Sequence, residues 1–278
     1  MTANTLSSGA VDHLYVFRKS LPMRMRLQEI VRALGNTEGL TCLDVGTDNG
    51  VISHHLRRHG GKWDTVVQDE ATAAVVREVV PEDVYVFEGR TLPFKKKSYD
   101  AVVIVDSLER IPEDAPFIEE CHKILKPDGR LIVNVQRIRT WTPIRLLRNM
   151  LGLAYDRKGM VREGYTETEL FNVLKDGFDV LNVHPYSRFF VELTDMAVEA
   201  MKRRLTWREG GNEKKLRMLC SLAGVFYWLA FQLDMLLFFS RGYRLIAVGK
   251  RRAWRPRKAP ILVDGRSITE AVLSRADG

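Results

Sequence analysis

From residue 41 onward, short apolar runs alternate with longer stretches whose apolar positions recur every three or four residues. TCLDV, TVVQ, VYVF, AVVIVD and RLIVNV are rich in β-branched residues and predict strands. Between them, NGVISHHLRRHG, EATAAVVREVV and DAPFIEECHKILKPDG predict helices, the last stopped by Pro127 and Gly129. Wholly apolar strands that alternate with helices argue for an α/β fold, a doubly wound parallel sheet covered on both faces.

The flanks extend this pattern. SLPMRMRLQEIVRALG predicts a helix with Pro22 in its first turn and Gly35 as its stop. TPIRLLRNMLG offers Thr142 as a cap and Pro143 at the first helical position. TETELFNVL sets Thr166 and Glu169 at capping-box spacing. FDVLNVHPYSRFF and YRLIAVGKR predict two further strands, separated by far more chain than a hairpin needs. The expected organisation is a helical cap over residues 1–36 and a core over 37–189. A helical insertion at 190–240, the last core strand at 241–250 and a basic tail at 251–278 complete it. Within the tail, SITEAVLSR offers one short helix.

Composition is that of a globular protein, 45% hydrophobic and 28% charged over 278 residues. The formal charge of +8 is concentrated after residue 200, in MKRR, NEKKLR and GKRRAWRPRK. That bias suits an anionic lipid surface or nucleic acid. An RNA-modifying enzyme ranks low, because the basic half lacks an aromatic-rich platform for bases. Cys42, Cys121 and Cys220 lie in apolar contexts without CxxC spacing, as buried, reduced thiols of a cytoplasmic protein would. MTANTLSSGAVDHLYVF lacks the basic start and apolar run of a secretory signal. No Cys and His cluster suggests a metal site.

Candidate chemistry begins at CLDVGTDNG (42–50), where the first strand turns into the first helix. Ligands of doubly wound sheets bind at the carboxyl ends of the strands. Gly46 and Gly50 would let the backbone approach a ligand closely. A diphosphate needs bare N–H groups and positive charge. Here Asp44 precedes the loop and Asp48 sits inside it, which favours a cationic ligand. S-adenosylmethionine, with a sulfonium, an ammonium and no phosphate, suits those acids better than NAD.

Asp44-Val45-Gly46-Thr47-Asp48-Asn49-Gly50 resembles the D-x-G-x-G-x-G motif of class I S-adenosylmethionine-dependent methyltransferases, with Asp48 replacing the middle glycine. VVQDE (66–70) resembles the second-strand end whose acid holds the ribose, with Asp69 the best match and Glu70 next. FEGRTLPFKKKSYDAVVIVDSLERIPE (87–113) resembles the stretch in which an acid, here Glu88, contacts the adenine amino group. IEECHKILKPDGRLIVNV and VREGYTETELFNVLKDGFDV follow in the family's order. The NPPY-like motif of amino-directed nucleic-acid enzymes is absent, so the resemblance is closest to the small-molecule and quinone-type branch. It implies a Rossmann-like, mostly parallel seven-stranded sheet, with the helical insertion between the last two strands. Arg110 stands where the family commonly has His.

Asp106, ending the fourth strand, either faces the transfer site or caps the next turn. His184, Tyr186, Arg188 and Tyr165 are the acceptor-side candidates, with His184, Tyr186 and Tyr165 the catalytic ones. Arg137 and Arg139 could bind an acidic acceptor, while His54, His55, His59 and Lys95–Lys97 read as surface or packing residues. CSLAGVFYWLAFQLDMLLFF (220–239) is long enough to span a bilayer, but Asp234 opposes spanning at a cost of ~3 kcal/mol. Two readings stay open: a helix pair roofing an apolar acceptor site, or a helix resting on an anionic membrane surface. The leading expectation is methyl transfer to a small or lipidic acceptor, such as a lipid, a quinone or polyprenyl compound, or a lipid-linked glycan. The protein would be cytoplasmic, at most peripheral at the inner membrane face. A S-adenosylmethionine-binding protein without transferase activity is the alternative, and oligomeric state is open.

Overall fold

The structure is a computed structural model that describes residues 8–46, 49–87, 91–138, 160–206, 213–236 and 242–255. Two helices, α1 (Ser8–Lys19) and α2 (Leu21–Leu34), precede the sheet. There follow β1 (Thr41–Gly46), α3 (Val51–Arg58), β2 (Lys62–Val67), α4 (Glu70–Val79), β3 (Val84–Val86) and β4 (Tyr99–Val105). After a short 3-10 turn at Leu108–Arg110 come α5 (Asp114–Ile124), β5 (Leu125–Gln136), α6 (Glu167–Leu174) and β6 (Phe178–Tyr186). The helices α7 (Phe189–Thr206) and α8 (Glu213–Leu236) then separate β6 from β7 (Arg244–Arg251).

The seven strands form one sheet in the order β3-β2-β1-β4-β5-β7-β6. β7 alone runs antiparallel, hydrogen-bonded between β5 and β6. This is the α/β sheet that the strand and helix periodicity predicts, in the seven-stranded, Rossmann-like form that the family resemblance implies. Alternate residues of each strand feed two apolar layers. Leu43, Val45, Ile104, Leu131 and Val133 pack with Phe117 and Ile118 of α5 and Leu170 of α6. Cys42, Val103, Val105 and Ile132 pack on the opposite face with Ile30 of α2, Ile52 and Leu56 of α3, and Phe17 of α1. A sheet covered on both sides explains why its strands lack polar alternation.

Some local stops fall where the residue chemistry demands them, but α5 ends at Ile124, and Leu125–Gly129, expected to close that helix, opens β5. Gly35 ends α2 at φ 67°, and its N–H donates to Val31 O. α6 carries the complete capping box, with Glu169 N–H donating to Thr166 Oγ1 and Thr166 N–H to Glu169 Oε2. The strand expected to run through Arg188 and Phe190 instead ends at Tyr186. Ser187 adopts φ 58° and Phe189 starts α7. The expected helix at TPIRLLRNMLG and the short helix at SITEAVLSR lie outside the described residues.

Candidate functional site

Strand order reverses between β1 and β4, so the loops at their carboxyl ends diverge and leave a crevice. β1 ends there in buried Gly46, paired with Val105. Gly50 opens α3 at φ 74°, and a Cβ on it would stand 3.1 Å from both Cγ1 and the carbonyl oxygen of Val76 on α4. The turn is therefore seated tightly against α4, in a left-handed conformation that glycine adopts without strain. Asn49 Nδ2 lies 2.8 Å from His13 Nδ1 of α1. Asn49 Oδ1 is buried with no hydrogen-bond partner among the described residues. Thr47, Asp48 and Glu88 lie outside the described residues.

Asp44 supports this turn from behind. It is 1% exposed, and its carboxylate accepts hydrogen bonds from Ser53 Oγ and from Thr65 Oγ1 at 2.9 Å. Arg57 Nη1 stands 3.4 Å away. Burial pushes this carboxyl up, against the pull of Arg57 and the two hydroxyls. Asp44 thus ties β1 to β2 and α3 and holds the shape of the loop.

On the other flank, Gln68, Phe87, Arg110, Ile111, Pro112 and Phe117 line a cleft of about 330 Å³. It gathers the ends of β2 and β3, the turn after β4, and α5. Asp69, next to Gln68, caps α4. Its Oδ1 accepts from Thr72 N–H at 2.7 Å, and these bonds hold its carboxyl below the usual range. Glu70 pairs with Arg77 on the same helix. The residue of that turn that lines the cleft is Gln68, a neutral side chain without a charge pattern to mark it.

Asp106 follows β4 at φ 47°. Arg26 Nη1 of α2 contacts its Oδ2 at 2.7 Å, and Arg244 Nη1 of β7 donates to Oδ1 and Oδ2 at 3.1 and 3.0 Å. Burial raises its carboxyl, yet the two guanidinium groups overcome this and hold it below the ordinary range. Arg244 Nε also lies 3.6 Å from Glu192, which accepts from Ser187 Oγ at 2.6 Å. Tyr186 joins the same buried group through Asn134, whose Nδ2 donates to its hydroxyl. Burial pushes the Tyr186 phenol up to about 12. The sequence held one signal of this cluster. Pro22, Arg26, Ile30 and Leu34 are the buried stripe of α2, and an arginine in such a stripe requires a buried acid.

Three of the four acceptor-side candidates, His184, Tyr186 and Arg188, meet in one cleft, and Tyr165 lies apart from them. Tyr165 is buried on the α5 side, its hydroxyl donating to Asp114 Oδ2 at 3.0 Å. His184 is on the α2 side, Nε2 at 3.2 Å from Glu29 Oε2 and Nδ1 buried without a partner among the described residues. It lines a second cleft, of about 500 Å³, with Arg188, Tyr186, Phe231 and Met235. Arg137 donates to Gly242 O and pairs with Glu167, whereas Arg139 lies outside the described residues. His55 stacks on Phe17 with ring centres 4.4 Å apart, a packing role.

Glu109 is a buried acid that sequence reasoning passed over. It is 1% exposed in the turn after β4. Its Oε1 accepts from Gln136 N–H at 2.6 Å, while Oε2 is buried without a partner among the described residues. Burial and then the charge of Asp106 push its carboxyl up to about 7. A carboxyl whose folded pKa lies above its unfolded value destabilises the fold as pH rises, first above the unfolded value of about 4.3 and fully beyond about 7. Glu109→Gln keeps the acceptor oxygen and removes that penalty. Its stability relative to wild type should therefore be about 2 kcal/mol greater at pH 8 than at pH 5. Denaturant titration at both values tests this, and an equal difference would remove Glu109 as a buried titrating group.

Comparison with known proteins fits this geometry. Residues 43–133 match the family model described as a methyltransferase domain. A ubiquinone biosynthesis O-methyltransferase of Alkalilimnicola ehrlichii is 28% identical over 116 residues, which are 39% of this chain and 46% of that protein. The chain thus spans less than half the length of that relative. Among solved structures, the [4+2]-cyclase SpnF superposes with a TM-score of 0.55 at 16% identity, covering 82% of this chain and 80% of that one. The YcgJ protein of Bacillus subtilis gives 0.51 at 14%, covering 82% and 99%. Such low identities bear on the fold alone.

Proposed function

We propose, from the class I S-adenosylmethionine-dependent methyltransferase domain that residues 43–133 constitute, that this chain transfers a methyl group to a small, quinone-type or other lipidic acceptor. The observation that carries this reading is the crevice itself. A glycine turn pressed onto α4 and carrying the orphaned Asn49 Oδ1 lies at the switch point of the sheet, beside the cleft lined by Gln68 and Arg110. The orphaned oxygen suits the cofactor's ammonium group. Phe87, Ile111 and Pro112 with Gln68 offer the apolar walls and polar rim that a ribosyl-adenine requires. Asp48 and Glu88 are assigned to the same ligand by resemblance.

When bound, S-adenosylmethionine supplies an electrophilic methyl group on a sulfonium. The chain's part is to position the acceptor and accept its proton. Glu109, buried behind the turn after β4, accepts from Gln136 N–H and fastens that turn to β5. Asp106, Arg26 and Arg244 hold the adjoining wall rigid. The relative named for ubiquinone biosynthesis supports a quinone-type phenol as acceptor.

Incubation with methyl-labelled S-adenosylmethionine and a total lipid extract should place label in an apolar phenolic fraction. A second reading, a binding protein without transferase activity, is favoured by Arg110 at the family's histidine position and by a cyclase having the same fold. Calorimetric binding of S-adenosylmethionine, with no label in any lipid or metabolite pool, would decide for that reading.

A further inference from the structure

From Met218 to Leu236, α8 buries one stripe. Cys220, Ala223, Tyr227, Ala230 and Asp234 recur at three- and four-residue spacing and face the protein body. Ala223 and Tyr227 pack with Val198 of α7. Between Met218 and Leu236 most of the remaining surface is apolar and open to solvent, interrupted by Ser221 and Gln232: Val225 is 67% exposed, Phe226 62%, Trp228 63% and Leu236 70%. An outward face of this kind on one helix marks a contact surface.

The helix is also pinned. The Asp234 carboxylate accepts from the N–H groups of Phe190 and Val191 at 2.8 and 3.0 Å, at the start of α7. Tyr227 donates to Asp195 Oδ1 at 2.6 Å, and Arg188 donates to the Asp234 carbonyl. Crossing a bilayer would break every one of these bonds and strand a carboxylate in hydrocarbon.

We propose that the outward face of α8 lies in the plane of an anionic lipid bilayer, with α7 and the sheet on the aqueous side. Charge selects this occupant. From residue 202 to residue 258 the sequence has fifteen Lys and Arg against three Asp and Glu. Lys214, Lys215 and Arg217 precede the apolar run and Arg241 follows it, so cations flank it at both ends. Pairing two copies through this face, in either direction, would bring like charges together. Anionic headgroups neutralise both ends while the acyl boundary takes the apolar face. Trp228, Phe226 and Phe231 are residues suited to that boundary. Phe231 and Met235 also line the cleft that holds His184, which places that cleft beside the lipid. This inference stands on the surface alone and does not require methyl transfer.

The test is flotation of the full chain with phosphatidylcholine vesicles, with and without phosphatidylglycerol. The chain should float with the anionic vesicles, less so at high salt. Val225→Glu with Phe226→Glu should weaken partitioning about tenfold or more. The calorimetric S-adenosylmethionine affinity of this variant reports that it is folded. Brominated lipid should quench Trp228, an effect lost in Trp228→Phe, which keeps the apolar face. Absence of flotation, or flotation unchanged in the double variant, overturns the proposal. So does a double variant that turns a dimer into a monomer without altering flotation, which would make the face a contact between copies.

Discussion

Replacing Asp106 by alanine is expected to cost about 3–5 kcal/mol of folding stability. The carboxylate is the shared partner of Arg26 and Arg244, at 2.7 and 3.0 Å, and their side chains are only 9% and 15% exposed. Its removal leaves two guanidinium groups facing each other in a largely buried site. A second penalty comes from the backbone, because Asp106 stands at φ 47°, where aspartate and asparagine are tolerated better than alanine. Asp106→Asn should thus lose the charge term and keep the turn, falling between wild type and alanine in a denaturant titration. If alanine and asparagine prove equal and each costs under about 1 kcal/mol, the cluster is not a fastening of the fold.

Gly46→Arg is expected to abolish S-adenosylmethionine binding, lowering affinity by about a hundredfold or more while the sheet still forms. Gly46 is the last residue of β1 and is buried at the mouth of the crevice, so a long side chain there fills the space between turn and ligand. Titration calorimetry measures the loss, and unchanged far-ultraviolet dichroism shows that the fold persists. Gly46→Ala, which adds one methyl, should retain the fold with a smaller loss. A folded Gly46→Arg protein of wild-type affinity would dissociate this turn from the cofactor.

Much of this architecture is legible along the chain because its causes are local. Apolar strand runs, the Pro22 start and Gly35 stop of α2, and the Thr166 and Glu169 box all act within a few residues of themselves. The glycine turn is legible for the same reason. Even there one detail required the fold: besides its left-handed φ, Gly50 is seated closely on Val76, 26 positions later in the chain. The acids at strand ends show the other limit. Asp69 and Asp106 look alike in sequence, each closing an apolar strand. One caps the helix that follows it, and the other joins α2 to β7. Where a side chain turns depends on which donors lie within hydrogen-bond reach.

The insertion divides in the same way. Its apolar composition and the intruding Asp234 are sequence facts. That Asp234 fastens α8 to α7, and that Val225, Phe226 and Trp228 face outward, follows from how the two helices meet. The sequence by itself determined the alternation of strands and helices, the cofactor turn and the basic bias of the C-terminal third, since each is a property of short segments or of composition. Tertiary structure alone decided which charges are buried together, which residues line the crevice and which face of α8 is left uncovered. Those depend on contacts between residues such as Asp106 and Arg244, far apart in the chain, whose pairing is set by burial and close packing and leaves no local pattern to read.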